Sequence, residues 1–160
     1  MHFIDNEHEL FFINTLKEIH KHKRIDAYYV SLVYTLGISE VTREHFNNIF
    51  NVKEGEINID SIEAPWQTDT SAKVTRMVFS LWNRCAYDSI EDWQNNKASS
   101  KYNPIEIFSC TYAPYFYGGV KIRYPEYTRE AQQAKPTKQI QQVKSINQTQ
   151  TNSLENEKEK

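Results

Sequence analysis

The chain has 160 residues, a length that suits one domain of ordinary size. Its formal net charge is −2 and its isoelectric point is near 6.2, which excludes a global positive field of the kind that gathers nucleic acid or an anionic membrane. Hydrophobic residues make up 39 %, below the roughly 45–50 % of average domains.

The first predicted helix opens at Asp5, whose carboxylate caps the exposed N–H groups of the first turn, with Glu7 adding favourable charge there. Leu10, Ile13, Leu16 and Ile19 follow a three-residue step, with Phe12 widening the stripe. The run His20-Lys21-His22-Lys23-Arg24 places cations at the negative helix end, which accounts for a basic, His-rich cluster without a metal. A second helix spans Asp26–Leu36. It is apolar nearly all round, which predicts a central buried position, and Gly37 is expected as a left-handed cap.

Ser39 is expected to cap a third helix carrying Val41, His45, Phe46, Ile49 and Phe50. Residues 51–65 read as a loop, within which the alternation over 56–60 predicts a short strand. The fourth helix has the strongest pattern: Val74, Met77, Val78, Leu81, Trp82 and Cys85 keep helical spacing without a gap, with Asp69 or Ser71 as cap. Ser89 and Asp92 mark a short helix, and Asn103-Pro104 opens another carrying Ile105, Phe108 and Cys110. Gly118-Gly119 reads as a turn or helix end, and Val120–Tyr124 alternates like a half-buried strand.

Composition changes at about residue 130. The stretch 130–160 contains no aromatic residue and is dominated by Gln, Asn, Lys, Ser and Thr, so it is expected to be a disordered polar tail. The expected fold is therefore mainly α: a compact single-domain helical bundle over 1–129, with at most two short strands. The N-terminal segment lacks the basic start and apolar run of a signal peptide, and no window is apolar for the ~18 residues of a membrane span. Cys85 and Cys110 are 25 positions apart with no CxxC spacing. Together these features predict a cytoplasmic protein with reduced thiols.

Three constellations carry candidate chemistry. The first is the segment 112–127, YAPYFYGGVKIRYPEY, which holds five of the ten tyrosines. Tyrosine joins a large apolar body to a hydroxyl that seeks a partner, so Tyr112, Tyr115, Tyr117, Arg123, Tyr124 and Tyr127 form a candidate partner-binding face. The same residues also read as a lid packed on the helices. The second is WQTDTSAKVTR, where Trp66, Gln67, Thr68, Ser71, Lys73 and Arg76 offer hydroxyls, cations and a stacking ring at a helix start, an alternative site for a nucleotide or other phosphorylated ligand. A well-capped helix with a solvated face explains them better, because no glycine-rich loop precedes them and Asp69 repels an anion. The third is His45 with Arg43 or Arg76, the basis of a hydrolase or nuclease reading, although helix geometry turns residues 43 and 44 away from 45. The five histidines show no metal-ligand spacing and no cofactor motif is present, so neither a metal nor a cofactor is expected.

SLVYTLGI (31–38), TREHFNNIF (42–50), WQTDTSAKVTRMVFSLWN (66–83) and IFSCTYAPYFYGGVKIRYPEY (107–127) together resemble a small family of unknown function found in Gram-positive bacteria, prophages and other mobile elements. The resemblance covers nearly the whole domain and brings no catalytic residues. It implies a setting in which small proteins act by binding a host or competing protein. The leading expectation is a non-enzymatic protein-binding inhibitor or regulator directed at a bacterial host or defence protein, with self-association compatible.

Overall fold

The computed structural model describes residues 1–128, so the tail expected over 130–160 lies outside the described residues. The order is α1 (Asn6–His20), α2 (Ala27–Leu36), α3 (Glu40–Glu44), α4 (Phe46–Ile49), β1 (Phe50–Asn51), β2 (Glu56–Ile57), α5 (Asp69–Asn83), α6 (Ile90–Gln94), α7 (Pro104–Phe108) and α8 (Ala113–Arg123), with 3-10 turns at Ile59–Glu63 and Ser100–Tyr102. The fold is mainly α, as expected. Its two short strands pair antiparallel, Phe50 opposite Ile57 and Asn51 opposite Glu56.

Helix α2 is the axis of the structure, with α1, α5 and α8 packed around it. Residues Ser31–Leu36 are all buried, the outcome expected of a helix with no polar face. One apolar cluster joins Ile19, Leu32, Val33, Leu36, Ile49, Phe50, Val78 and Phe79. A second joins Tyr34, Ile38, Val74, Met77, Leu81, Ile107 and Phe116. Because α2 and α5 feed both clusters, side chains are buried on nearly every side of α5.

Asp5 caps α1 through the His8 N–H, as expected. The buried stripe differs. A three-residue step lags the helix by about 60° each time, so Leu10 and Ile19 face directions about 180° apart. Leu10 and Ile13 are exposed, and His8, Phe11, Phe12, Leu16 and Ile19 form the inward face instead. His8 is fully buried: its Nε2–H donates to the Tyr34 carbonyl at 2.7 Å, and Nδ1 accepts from the Ile4 N–H at 3.3 Å. Burial, then the Arg43 charge, hold its pKa below the ordinary value against the opposing pull of the Tyr34 hydrogen bond and Asp5. The ring is thus a neutral core element.

Four further expectations change. Gly37 closes α2 at φ −66°, a right-handed geometry; glycine is needed because a Cβ there would lie 2.4 Å from the His8 ring. The third helix breaks at His45 into α3 and α4, and Phe50 moves into β1. The cap of α5 is Thr68, with Ser71 completing a reciprocal capping box, rather than Asp69 or Ser71 itself. In α7, Ile105 and Phe108 are exposed and Ile107 is the buried anchor.

The largest difference is at the end of the described chain. Gly118-Gly119 is neither a turn nor a helix end, and 120–124 is not a strand; α8 runs through both to Arg123. Cβ atoms at 118 and 119 would lie 2.4 Å from Tyr34 Oη and 2.3 Å from Thr35 Oγ1. The two glycines let α8 lie directly on α2, where the Ser31 hydroxyl donates to the Gly119 carbonyl at 2.9 Å. Packing onto α2 overrides the helix penalty of two glycines.

Candidate functional site

Because α8 turns about 100° per residue, it cannot present its aromatic side chains as one face. Phe116 is fully buried beside Phe108, Tyr112 is half-buried on the second apolar cluster, and Tyr127 lies beyond the helix, 82 % exposed. The remaining candidates divide into two groups.

Tyr115 and Tyr117 line a concave pocket of about 470 Å³ with His2, Tyr34, Lys121 and Ile122. The chain before α1 forms its other wall. The Tyr34 hydroxyl donates to the His2 carbonyl at 2.6 Å, and Phe3 packs against His8, Phe12 and Tyr34. This anchoring lays the His2 ring parallel to Tyr115, 5.7 Å between centroids. Burial, then the nearby Tyr115, push the Tyr34 hydroxyl above its ordinary pKa, so it stays a donor. Tyr117 is half exposed, and Lys121 one turn on places its ammonium 4.7 Å from that ring's centre.

Arg123 and Tyr124 belong elsewhere. The Arg123 guanidinium stacks 3.4 Å over Tyr28 and 4.6 Å from Tyr124, and its Nε donates to the Leu81 carbonyl at 3.1 Å. This clamp joins α8 to α2 and α5. Tyr28 meets Trp82 edge-on, and Trp82 lines a second concavity of about 490 Å³ with Glu56, Arg84, Tyr87, Ile90 and Trp93. Arg84 closes α5 at φ 60°, and Trp93 is 58 % exposed. Asp60 accepts from the Ile90 N–H at 3.0 Å and so holds α6 against the 3-10 turn Ile59–Glu63.

The alternative set at the start of α5 is committed to internal bonds. Trp66 stacks on His45 at 4.2 Å. Gln67 donates to Ser61 and Thr75 and accepts from Ser71, while Thr68 and Ser71 serve each other's backbone. Lys73 pairs with Asp69 at 2.8 Å and donates to the Ser109 carbonyl; the Asp69 hydrogen bond holds its pKa above the ordinary lysine value. Arg76 is buried, its Nε donating to Asp88 Oδ1 at 2.8 Å. Ser99 donates to the other Asp88 oxygen at 2.7 Å, and Lys101 lies 3.7 Å from it. These bonds tie residues 88–101 to α5. The Tyr102 hydroxyl, pushed strongly upward by burial and then by Cys85, donates to the Tyr87 carbonyl at 2.9 Å.

The third constellation does not assemble as a unit. His45 Nδ1 lies 3.0 Å from the Val41 carbonyl, and Arg43 donates to the Gly37 carbonyl. Among the described residues no group of three or more His, Cys, Asp or Glu is placed to hold a metal ion, and no helix is long and apolar enough to cross a membrane.

Sequence reasoning missed His2, Tyr34 and Lys121 in the first concavity, and Arg84 and Trp93 in the second. Lys121 was legible as the i+4 neighbour of Tyr117. His2 was not, since its place depends on how the N-terminal segment folds back. No curated protein and no solved structure matches the chain. The model of a family of unknown function, DUF6075, matches residues 1–136, and the chain belongs to that family.

Proposed function

We propose that this protein acts by binding another protein, with the concave surface around Tyr115 and Tyr117 as its docking face. The observation that carries this reading is the pairing of a half-exposed Tyr117 and its Lys121 with a 470 Å³ hollow walled by tyrosine rings. Tyrosine gives large contact area at low entropic cost, and such rings around a hollow are the usual anchors of an interface. The resemblance to proteins of prophages and mobile elements supports a concrete version: a cytoplasmic inhibitor or regulator, carried by a mobile element in a Gram-positive cell, that blocks a host defence protein. The nucleotide reading is weaker, because Arg76 and Lys73 already hold Asp88 and Asp69.

Affinity capture from a Gram-positive host with wild-type, Tyr117→Ala, Trp93→Ala and Ile105→Ser chains tests the reading. Ile105 is 81 % exposed and lines neither concavity. A specific partner held by wild type and Ile105→Ser and lost by Tyr117→Ala is expected. Retention by Tyr117→Ala refutes this face, and loss in Trp93→Ala alone moves the docking site to the second concavity.

A further inference from the structure

We infer that the pocket between the N-terminal segment and α8 takes an acidic segment of the partner, a carboxylate-bearing stretch with an adjacent apolar side chain. The inference rests on the protein-binding reading above and specifies what that surface recognises. Its first support is charge. The chain is net negative, yet residues 107–125 contain Lys121 and Arg123 and no carboxylate, and the segment before Asp5 contains none either. The pocket is built from these two stretches with Tyr34, so its lining includes Lys121 and His2 and no Asp or Glu.

The second support is the unequal state of the two α8 cations. The Arg123 guanidinium is spent on the Leu81 carbonyl and two rings. The Lys121 ammonium rests on the Tyr117 ring, is exposed, and makes no ion pair with a described residue. An incoming carboxylate gains Lys121 without breaking an existing salt bridge, and the tyrosine hydroxyls at the rim donate to its second oxygen. The floor suits an apolar neighbour: Tyr34 and Ile122 line it, and Gly118 leaves no side chain in the way. The volume of about 470 Å³ accommodates a few side chains, which fits a short linear segment. A basic segment would meet Lys121 with no carboxylate to receive it. A nucleic-acid strand would find one lysine and an overall negative chain.

The test selects a displayed library of random short peptides on the full-length wild-type chain, then measures the selected peptides by fluorescence anisotropy. The expected pool is enriched in Asp and Glu beside an aromatic or aliphatic residue. Affinity should fall about tenfold or more for Lys121→Glu, and should weaken with added salt. Lys121 is exposed, so this variant keeps the fold; Tyr117→Ala serves as the second variant, with its melting temperature checked. A pool without acidic enrichment, or acidic peptides that bind Lys121→Glu as well as wild type, overturns the inference. Stabilisation by inorganic phosphate with no peptide selected also overturns it, in favour of a free anion. A cellular partner held equally by wild type and Lys121→Glu but lost by Tyr117→Ala leaves protein binding standing and removes only the acidic class.

Discussion

Replacing Asp88 with Ala removes the one carboxylate that receives Arg76, Ser99 and Lys101 together. The side chains of Asp88 and Arg76 are each 8 % exposed, so solvent cannot replace the lost partner. Breaking a buried pair from one side costs about 3–5 kcal/mol, because the remaining charge stays buried and unpaired. We expect a loss of about 3 kcal/mol at neutral pH, a large share of the roughly 5–15 kcal/mol that a domain has. Arg76→Met together with Asp88→Leu should recover most of it, since the loss reflects an orphaned guanidinium more than the worth of the pair. The pH dependence supplies a second check. Burial is the largest single influence on the Asp88 carboxyl and pushes its pKa up; the hydrogen bonds from Arg76 and Ser99, with the Arg76 and Lys101 charges, outweigh it and leave the pKa below the ordinary aspartate value. A carboxyl depressed on folding stabilises the native state fully above its unfolded pKa of about 3.9, and that contribution disappears as pH falls through the folded value. Urea denaturation followed by tryptophan fluorescence, at neutral and strongly acidic pH, measures both effects. A cost below about 1 kcal/mol at neutral pH, or a cost that persists undiminished in strong acid, would refute the reasoning.

Two further outcomes follow from the packing of α2. Gly119→Ala sets a Cβ 2.3 Å from Thr35 Oγ1, and should lose about 1–2 kcal/mol after roughly 1 kcal/mol of helix propensity is regained. Adding Thr35→Ala removes the obstructing hydroxyl, itself buried without a partner among the described residues, and should restore stability; a double variant no better than Gly119→Ala would sink the close-approach account. The His8 pKa is lowered by burial, so the unfolded chain takes up a proton that the folded ring refuses, and stability should fall as pH drops below about 6.5, by at most about 1.4 kcal/mol per pH unit. His8→Gln, which keeps a donor for the Tyr34 carbonyl, should flatten that slope in urea midpoints between about pH 7 and 5; an unchanged slope would place the titrating group elsewhere.

Where burial alone sets the structure, the sequence was readable. The all-apolar α2, the register of α5 and the caps at Asp5, Ser89 and Asn103 follow from rules that act within a few residues. The misreadings occur where a contact distant in sequence decides. Gly37 and the Gly118-Gly119 pair look like punctuation, yet they are places where another element leaves no room for a Cβ. Val120–Tyr124 alternates as a strand does, and nothing local shows that α2 will receive it as helix. The candidate face suffered in the same way. A strand-and-turn reading merges its residues into one face, whereas a helix sends Tyr115 and Tyr117 to one hollow and Arg123 to the rings of Tyr28 and Tyr124.

The titratable groups bear on what that first hollow can do. A shifted pKa points to chemistry only where the group faces a cavity with its reactive atom free. His8 has both ring nitrogens engaged, Asp88 has both oxygens engaged, and the Tyr102 hydroxyl is given to a carbonyl. Each shift is thus explained by a job within the fold. Tyr34 alone among these lines the candidate pocket, and its hydroxyl proton is directed at the His2 carbonyl, the bond that fixes the pocket's second wall. Its raised pKa keeps it a donor in that bond rather than a base toward a ligand. Tyr34, itself held by His8, therefore helps fix the shape of the hollow, while in the proposed reading Tyr115, Tyr117 and Lys121 would supply its contact chemistry. That division of labour is what a recognition surface requires: a rigid cavity and a few unspent groups at its rim.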